Sequence, residues 1–433
     1  MCGAPLPTTA PGHTDIGGHD EPAVDRAELL DVLRLLTGRP APHGEELASA
    51  HAVQDWIAEH LPEVPAVVDP AGTTANLVCS VGSGPELVLY SHLDTSLTGH
   101  GDRDGGVTGH DDDAPLGLEE NGDLVSGFGV GVTRGPASAA VAAFAAAVRA
   151  TADRQRRGRL TLLLAGGGTH RDGTGEHGSG VRRFLKGRPR PAAAIVAKGG
   201  PDGVLYDEPG AVYLRVRVGT RRSVVLAREH ATPPGGLVVH AGTVIAAIER
   251  WRAEVVLAPG AATGPTAREA GIGALHSGSP EKPDLLPAVL DVHLYLVTLP
   301  GDDVAELVDA LRRVLHDDLA ACPLAECTVE VTAGPHQRGA GTPPTTLIAV
   351  RTRAAWTRHS GGRMPPEVLA WRGSTDGTVF REHGIATVRT GPAAAPDPAD
   401  SDRDSVAAGE LVRYARIYAQ VGAHWLTDPD REG

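Results

Sequence analysis

Three groups of side chains stand where they could do acid–base chemistry. His92 and Asp94 lie in Ser91-His92-Leu93-Asp94-Thr95, which closes an apolar run. A carboxylate beside an imidazole can hold one ring nitrogen and leave the other to take a proton, the pairing used in general base catalysis. The plainer reading is a pair held only by packing. Lys198 closes a second apolar run, Ile195-Val196-Ala197, in a chain rich in Arg whose other lysines are Lys186 and Lys282 alone. A buried lysine shifts its pKa readily, so it can transfer protons or form a Schiff base where Arg cannot. Alternatively it is a surface residue ahead of the loop Gly199-Gly200-Pro201. His230, in a Pro-rich loop, is either a site group or an ordinary exposed histidine. Ser374, Thr375 and Asp376 offer hydroxyls and a carboxylate to a substrate. His170, Glu176 and His177 lie in Gly-rich sequence that carries either site groups or idle polar residues.

These groups need elements to position them. Leu29, Leu30, Leu33 and Leu36 have helical spacing within Arg26–Thr37, and a second helix is expected over Glu45–His60. Strands are expected at Thr74–Ser80, Glu86–Ser91, Leu160–Ala165 and Ala192–Ala197, with an alanine-rich helix at Pro136–Ala152. Alternation of strand and helix predicts an α/β layer around a mostly parallel sheet. The stretch from His100 to about Glu120 reads as a polar loop without periodicity. After Asp207 the pattern changes. Val212–Val218 alternates apolar residues with Arg215 and Arg217, as a half-exposed strand does. Helices at Leu237–Arg250 and Asp302–His316 and a strand at Ala288–Thr298 follow, and a final helix is expected over Ser405–Trp425. The expected organisation is a leader at 1–24, a larger domain at 25–207 and 326–433, and a small α+β domain inserted at 208–325. Thr328–Thr332 either completes the insert or begins the return.

Composition narrows the function. The formal charge of −14 opposes binding to a nucleic-acid backbone, which needs clustered Lys and Arg. No apolar run reaches the roughly 18 residues of a membrane span. Met1 to about Pro22 lacks the basic and apolar blocks of a secretory signal, so a disordered leader on a cytoplasmic protein is expected. Cys2, Cys79, Cys322 and Cys327 show no metal-site spacing and no disulfide framework.

In collinear order from about Glu28 to Trp425, several segments resemble the motifs of the di-zinc amidohydrolase family that includes aminoacylase, acetylornithine deacetylase, succinyl-diaminopimelate desuccinylase and carboxypeptidase G. These are Pro40-Ala41-Pro42-His43-Gly44-Glu45-Glu46, Ser91–Thr95, Asn121–Gly129, His230–Gly236, Asp291-Val292-His293-Leu294 and Gly373-Ser374-Thr375-Asp376. The resemblance implies a zinc-peptidase-like α/β domain with an inserted lid and dimerisation domain. It further implies a homodimer, a small amino-acid-like substrate, His92 as a zinc ligand with Asp94 orienting it, and His230 as the lid histidine.

The remaining zinc ligands depart from that pattern. A bridged zinc pair needs a shared carboxylate, further His or acidic ligands and a carboxylate base for the water. Val132 stands where the bridging aspartate is expected, and Lys198 where an acidic ligand is expected. Gly166-Gly167-Gly168-Thr169-His170 follows the strand that should lead to a Glu-Glu pair, although Glu176-His177 matches that pair after an insertion. The last histidine falls near Asp400. The expectation is an enzyme that exchanged its metals for Lys198, His92 and Asp94, with His230 as a further catalytic group. Ser374, Thr375, Asp376, His170 and Glu176 would bind substrate. No cofactor is expected, or one zinc at most. The alternatives are a hydrolase with a rebuilt single-zinc site and a non-catalytic binding scaffold.

Overall fold

The apolar runs that end at His92, Ala165 and Ala197 become adjacent strands whose ends meet on one edge of a sheet. The computed structural model describes residues 21–170, 179–220, 225–226, 233–393, 395–397 and 400–429. Glu176, His177 and His230, named above as site candidates, lie outside the described residues.

The central sheet has six strands: β1 (Ala66–Ala71), β2 (Thr74–Gly82), β3 (Glu86–His92), β4 (Arg159–Ala165), β5 (Ala193–Ala197) and β10 (Ala386–Thr390). Their order is β1-β2-β4-β3-β5-β10. β4, β3, β5 and β10 run parallel, while β1 and β2 form an antiparallel margin. All seven residues of β3 and all five of β5 are buried, which explains why these strands read as continuous apolar runs rather than alternating ones. Helices α1 (Arg26–Thr37), α2 (Leu47–His60), α3 (Gly135–Ala150), α6 (Leu347–His359) and α8 (Ala408–Thr427) cover one face. Asp25 caps α1 by accepting the Ala27 N–H at 2.7 Å. α3 and α8 pack closely because both offer small residues: a Cβ on Gly422 would touch the Ala147 Cβ at 3.5 Å. The short helix α7 (Gly377–Glu382) lies on the opposite face with Val379 and Phe380 buried.

The inserted sheet is antiparallel, in the order β7-β8-β6-β9, from β6 (Gly210–Gly219), β7 (Glu269–His276), β8 (Val289–Thr298) and β9 (Thr328–Ala333). Helices α4 (Ala241–Trp251) and α5 (Val304–Ala320) pack on it. Inward residues of β6 alternate with Arg215 and Arg217, as their spacing predicts. β9 pairs residue by residue with β6 from Thr328 to Ala333, so the sheet continues past the boundary expected at 326. Two further expectations change. Gly101–Thr108 is helical, because the Asp104 carboxylate accepts the N–H groups of Thr98 and Gly99 and ties the turn together. The last helix starts at Ala408 rather than Ser405, since Asp404–Ala407 pair with Leu124–Gly127 as a strand.

Candidate active site

β3, β5 and β10 are parallel, so His92, Lys198 and the residues after Thr390 gather at their carboxyl ends, where open α/β sheets place their ligands. Tyr90 and His92 share a face of β3. Asp376 reaches that face from the start of α7.

Asp94 is fully buried and accepts four hydrogen bonds. Its Oδ1 takes His92 Nδ1 at 2.9 Å and the Gly168 N–H at 2.8 Å. Its Oδ2 takes the Thr169 N–H at 2.8 Å and His43 Nδ1 at 3.3 Å. Burial opposes its charge, but His92 and the donors from His43 and Thr169 overcome this and hold its pKa well below the usual carboxylate range. The His92 ring is thereby fixed with Nδ1–H facing Asp94. Its Nε2 is buried without a hydrogen-bond partner. Burial and the Lys198 charge both lower the His92 pKa from its ordinary value, so the neutral ring with a basic Nε2 dominates near pH 7.

Lys198 is partly buried directly after β5. Desolvation, then the charge of Arg389, brings its pKa down from 10.5 to about 8, with Asp94, Asp376 and Glu208 pulling the other way. Its ammonium forms no hydrogen bond or ion pair among the described residues. Asp376 is likewise buried; desolvation raises its carboxyl to about 6 against the Tyr90 hydrogen bond and the Lys198 charge. Tyr90 Oη donates to Asp376 Oδ2 at 2.7 Å and Ser179 Oγ donates to Oδ1 at 3.3 Å. Tyr90→Phe removes the shorter bond, so the Asp376 pKa should climb further, by roughly one unit for a bond worth about 1 kcal/mol. Infrared or NMR titration of the carboxyl measures this, and an unchanged midpoint would rule out the coupling.

The sequence-named residues divide. His92, Asp94, Lys198 and Asp376 come together. Thr375, expected to bind substrate, instead donates through Oγ1 to the buried Glu208 at 2.5 Å, and Glu208 is also paired with Arg381 at 2.5 Å. Its hydroxyl is therefore committed to the interior. Ser374 Oγ is buried without a partner. His170 lines a cavity of about 300 Å³ together with Gly168, Thr169, Ser179, Gln337 and Asp376. Gln337 Oε1 and His170 Nδ1 hydrogen-bond at 3.1 Å, and Gln337 Nε2 donates to the Thr375 carbonyl at 2.7 Å. Asp376 and His170 are thus placed to touch a molecule in that cavity. Tyr90, Ser179, Gln337, Glu208, Arg389 and Asp404 were not singled out by sequence. Tyr90 alone carried a signal, the two-residue spacing from His92.

The resemblance noted in the sequence implies metal ions, and the donor set of the described residues can be tested against them. Val132, with 42% of its surface exposed, has no lone pair to offer, and its carbonyl accepts the Gly199 N–H beside Lys198. Asp404 Oδ2 accepts the adjacent Gly131 N–H at 3.2 Å. A Cβ on Gly168 would stand 2.4 Å from the His92 Cβ and 2.9 Å from Tyr90 Oη, so this backbone excludes any side chain, a glutamate included. Among the described residues, His43, Glu46 and Asp94 are the one group whose ligand atoms lie within 4.8 Å of one another. Both Asp94 oxygens are already shared between donors, however, and Glu46 Oε1 accepts the N–H groups of Gly44 and Gly167 at 2.8 Å. These carboxylates organise the 166–169 loop. The described residues do not offer the donors of a carboxylate-bridged metal pair.

This architecture is the fold of the M20 metallopeptidases and amidohydrolases, with a mainly parallel sheet flanked by helices. Similar solved structures include an M20 family metallo-carboxypeptidase from Sulfolobus solfataricus (TM-score 0.66, 11% identity, 92% of this chain and 98% of that one). Others are the dipeptidase Dug1p of Saccharomyces cerevisiae (0.65, 12%, 94% and 97%) and human carnosine dipeptidase 1 (0.64, 12%, 92% and 96%). By sequence, no family model matches the chain and no curated protein matches it. No helix among the described residues is long and apolar enough to cross a membrane.

Proposed function

We propose that the chain is an amidohydrolase-fold enzyme that acts on a small amino-acid-derived substrate by metal-independent acid–base chemistry at His92, Lys198 and Asp376. The observation that carries this is the Lys198 ammonium at an acidic-ligand position, beside a His92 whose Nε2 is oriented, basic and unpartnered. His92 Nε2 takes a proton from the substrate. Lys198, charged at neutral pH, stabilises the oxyanion that develops at the neighbouring carbonyl. The His92 imidazolium so formed, or below about pH 6 the Asp376 carboxyl, returns a proton to the leaving group. Such a site favours cyclisation, elimination or acyl transfer over hydrolysis, chemistry suited to a specialised biosynthetic pathway.

A single-zinc hydrolase is the second reading, favoured by the free lone pair of His92 and by the His43, Glu46 and Asp94 cluster. Elemental analysis of protein purified without chelators separates the two. The expected result is no stoichiometric zinc and turnover unchanged by EDTA. One zinc per chain with EDTA-sensitive turnover would establish the second reading, and two would overturn both.

A further inference from the structure

Arg389 is 3% exposed yet incompletely paired. Its Nη2 donates to the Gly199 carbonyl, while Nη1 lies 3.8 Å from Glu208 Oε1, too far for a hydrogen bond. Nε and Nη1 are buried without hydrogen-bond partners. Glu208 cannot serve it better, being held by Arg381 and Thr375. Two more buried donors without partners lie on the segment 371–374, whose indole contacts Arg389. Trp371 Nε1 is on an indole that lies over the guanidinium, 4.8 Å from its centroid. Ser374 Oγ is one residue from Thr375. The Lys198 ammonium precedes Gly199, the residue that Arg389 grips. All of these groups present donors, and two are cations. Buried donors without acceptors are unfavourable, and several on neighbouring segments complement a group with several acceptor oxygens and negative charge.

Trp371 is held in place from the other domain. Its N–H donates to the Pro265 carbonyl at 2.8 Å, its carbonyl accepts the Ala267 N–H at 3.0 Å, and the Ala370 N–H donates to Gly264 at 2.8 Å. Arg372 Nε lies 3.5 Å from Glu269 Oε2. Ala370 has φ 52°, the one non-glycine residue with positive φ among the described residues, and such strain persists where its surroundings over-determine it. Gly373 is needed because a Cβ there would stand 2.3 Å from the indole. The loop carrying Trp371 therefore follows the inserted domain.

We infer that Arg389, Lys198, Ser374 and Trp371 Nε1 form a receiving site for an oxyanion, the carboxylate or phosphate of a small molecule. Trp371 is its cover, withdrawn with the inserted domain as the anion enters. The inference rests on the proposed function in taking the cleft as a substrate site, and it names the charged group that the substrate carries.

The test is titration of the full chain with sodium acetate and with inorganic phosphate, against sodium chloride at matched ionic strength. Tryptophan fluorescence and calorimetry are read together. A saturable change with acetate alone assigns a carboxylate and with phosphate alone a phosphate, and either supports the site. Trp371→Phe should lose the fluorescence response while heat of binding persists, and Arg389→Lys should weaken binding at least tenfold. Where Arg389→Lys fails to fold, Lys198→Met replaces it and should weaken binding at least threefold. No saturable binding, an unchanged response in Trp371→Phe or unchanged affinity in the cation variant overturns the inference. None of these readouts needs turnover. Binding without turnover would sink the proposed chemistry alone, and turnover without anion binding would sink this site alone.

Discussion

Lys198→Met should abolish nearly all turnover and, at the same time, make the folded chain more stable. The activity loss follows from removing the cation that the proposed chemistry places to face a developing oxyanion, and losses of this kind run about 10²–10⁴-fold. The stability gain follows from linkage. The Lys198 pKa falls from 10.5 to about 8 on folding, so between those values the unfolded chain binds more protons and stability rises with pH. Below about pH 8 the lysine is charged in both states, and burying that charge costs on the order of 3 kcal/mol. A methionine of similar volume removes this cost. Denaturant unfolding at pH 7 and pH 10 checks it: the variant should gain at pH 7, and the wild-type rise in stability from pH 8 to 10.5 should disappear. A variant that loses stability at pH 7 overturns the linkage argument, and one that keeps full turnover on an identified substrate places Lys198 outside the chemistry.

Asp94→Asn should be the most damaging isosteric change. The carboxylate accepts four donors, and an amide can accept with one oxygen only while turning an NH₂ group toward two of them. His92 would then lose the acceptor that fixes Nδ1–H, and its basic nitrogen would turn toward the amide. A wrong tautomer at such a position costs about 10³–10⁴-fold in rate. Breaking a buried charged network costs about 3–5 kcal/mol of stability. Because the Asp94 pKa is depressed on folding, its contribution is present above the unfolded value near 3.8 and lost as pH falls further. The wild type should therefore lose stability on acidification through this range, and Asp94→Asn should show a flatter profile. A kcat within tenfold of wild type would show that His92 does not act as an oriented base.

His92 and Asp94 were legible because a carboxylate two residues beyond an imidazole at a strand end lies close enough to bond to it locally. Lys198 was legible for a compositional reason, as a rare lysine at a strand end. Local sequence determined the helices at Arg26–Thr37 and Gly135–Ala150, the buried strands and the change of pattern after Asp207, since hydrophobic periodicity is a property of a few neighbouring residues. The valine at 132, where the resemblance leads one to expect a bridging carboxylate, was equally a matter of residue type.

The tertiary structure alone decided the partners. Tyr90 and Asp376 are 286 positions apart, and their hydrogen bond exists because β3 runs beside β5 and α7 packs on that face. Thr375 looked available to a substrate until the fold brought Glu208 against it, and a buried carboxylate takes any donor it can reach. Arg389, Trp371 and the bonds that tie Trp371 to Pro265 and Ala267 gave no sign in the sequence, because nothing local distinguishes an arginine that is paired from one that is not. Spacing along the chain determines which side chains can share a strand face or a turn of helix. Which donor finds an acceptor, and which buried charge goes without, is set by packing between segments hundreds of residues apart.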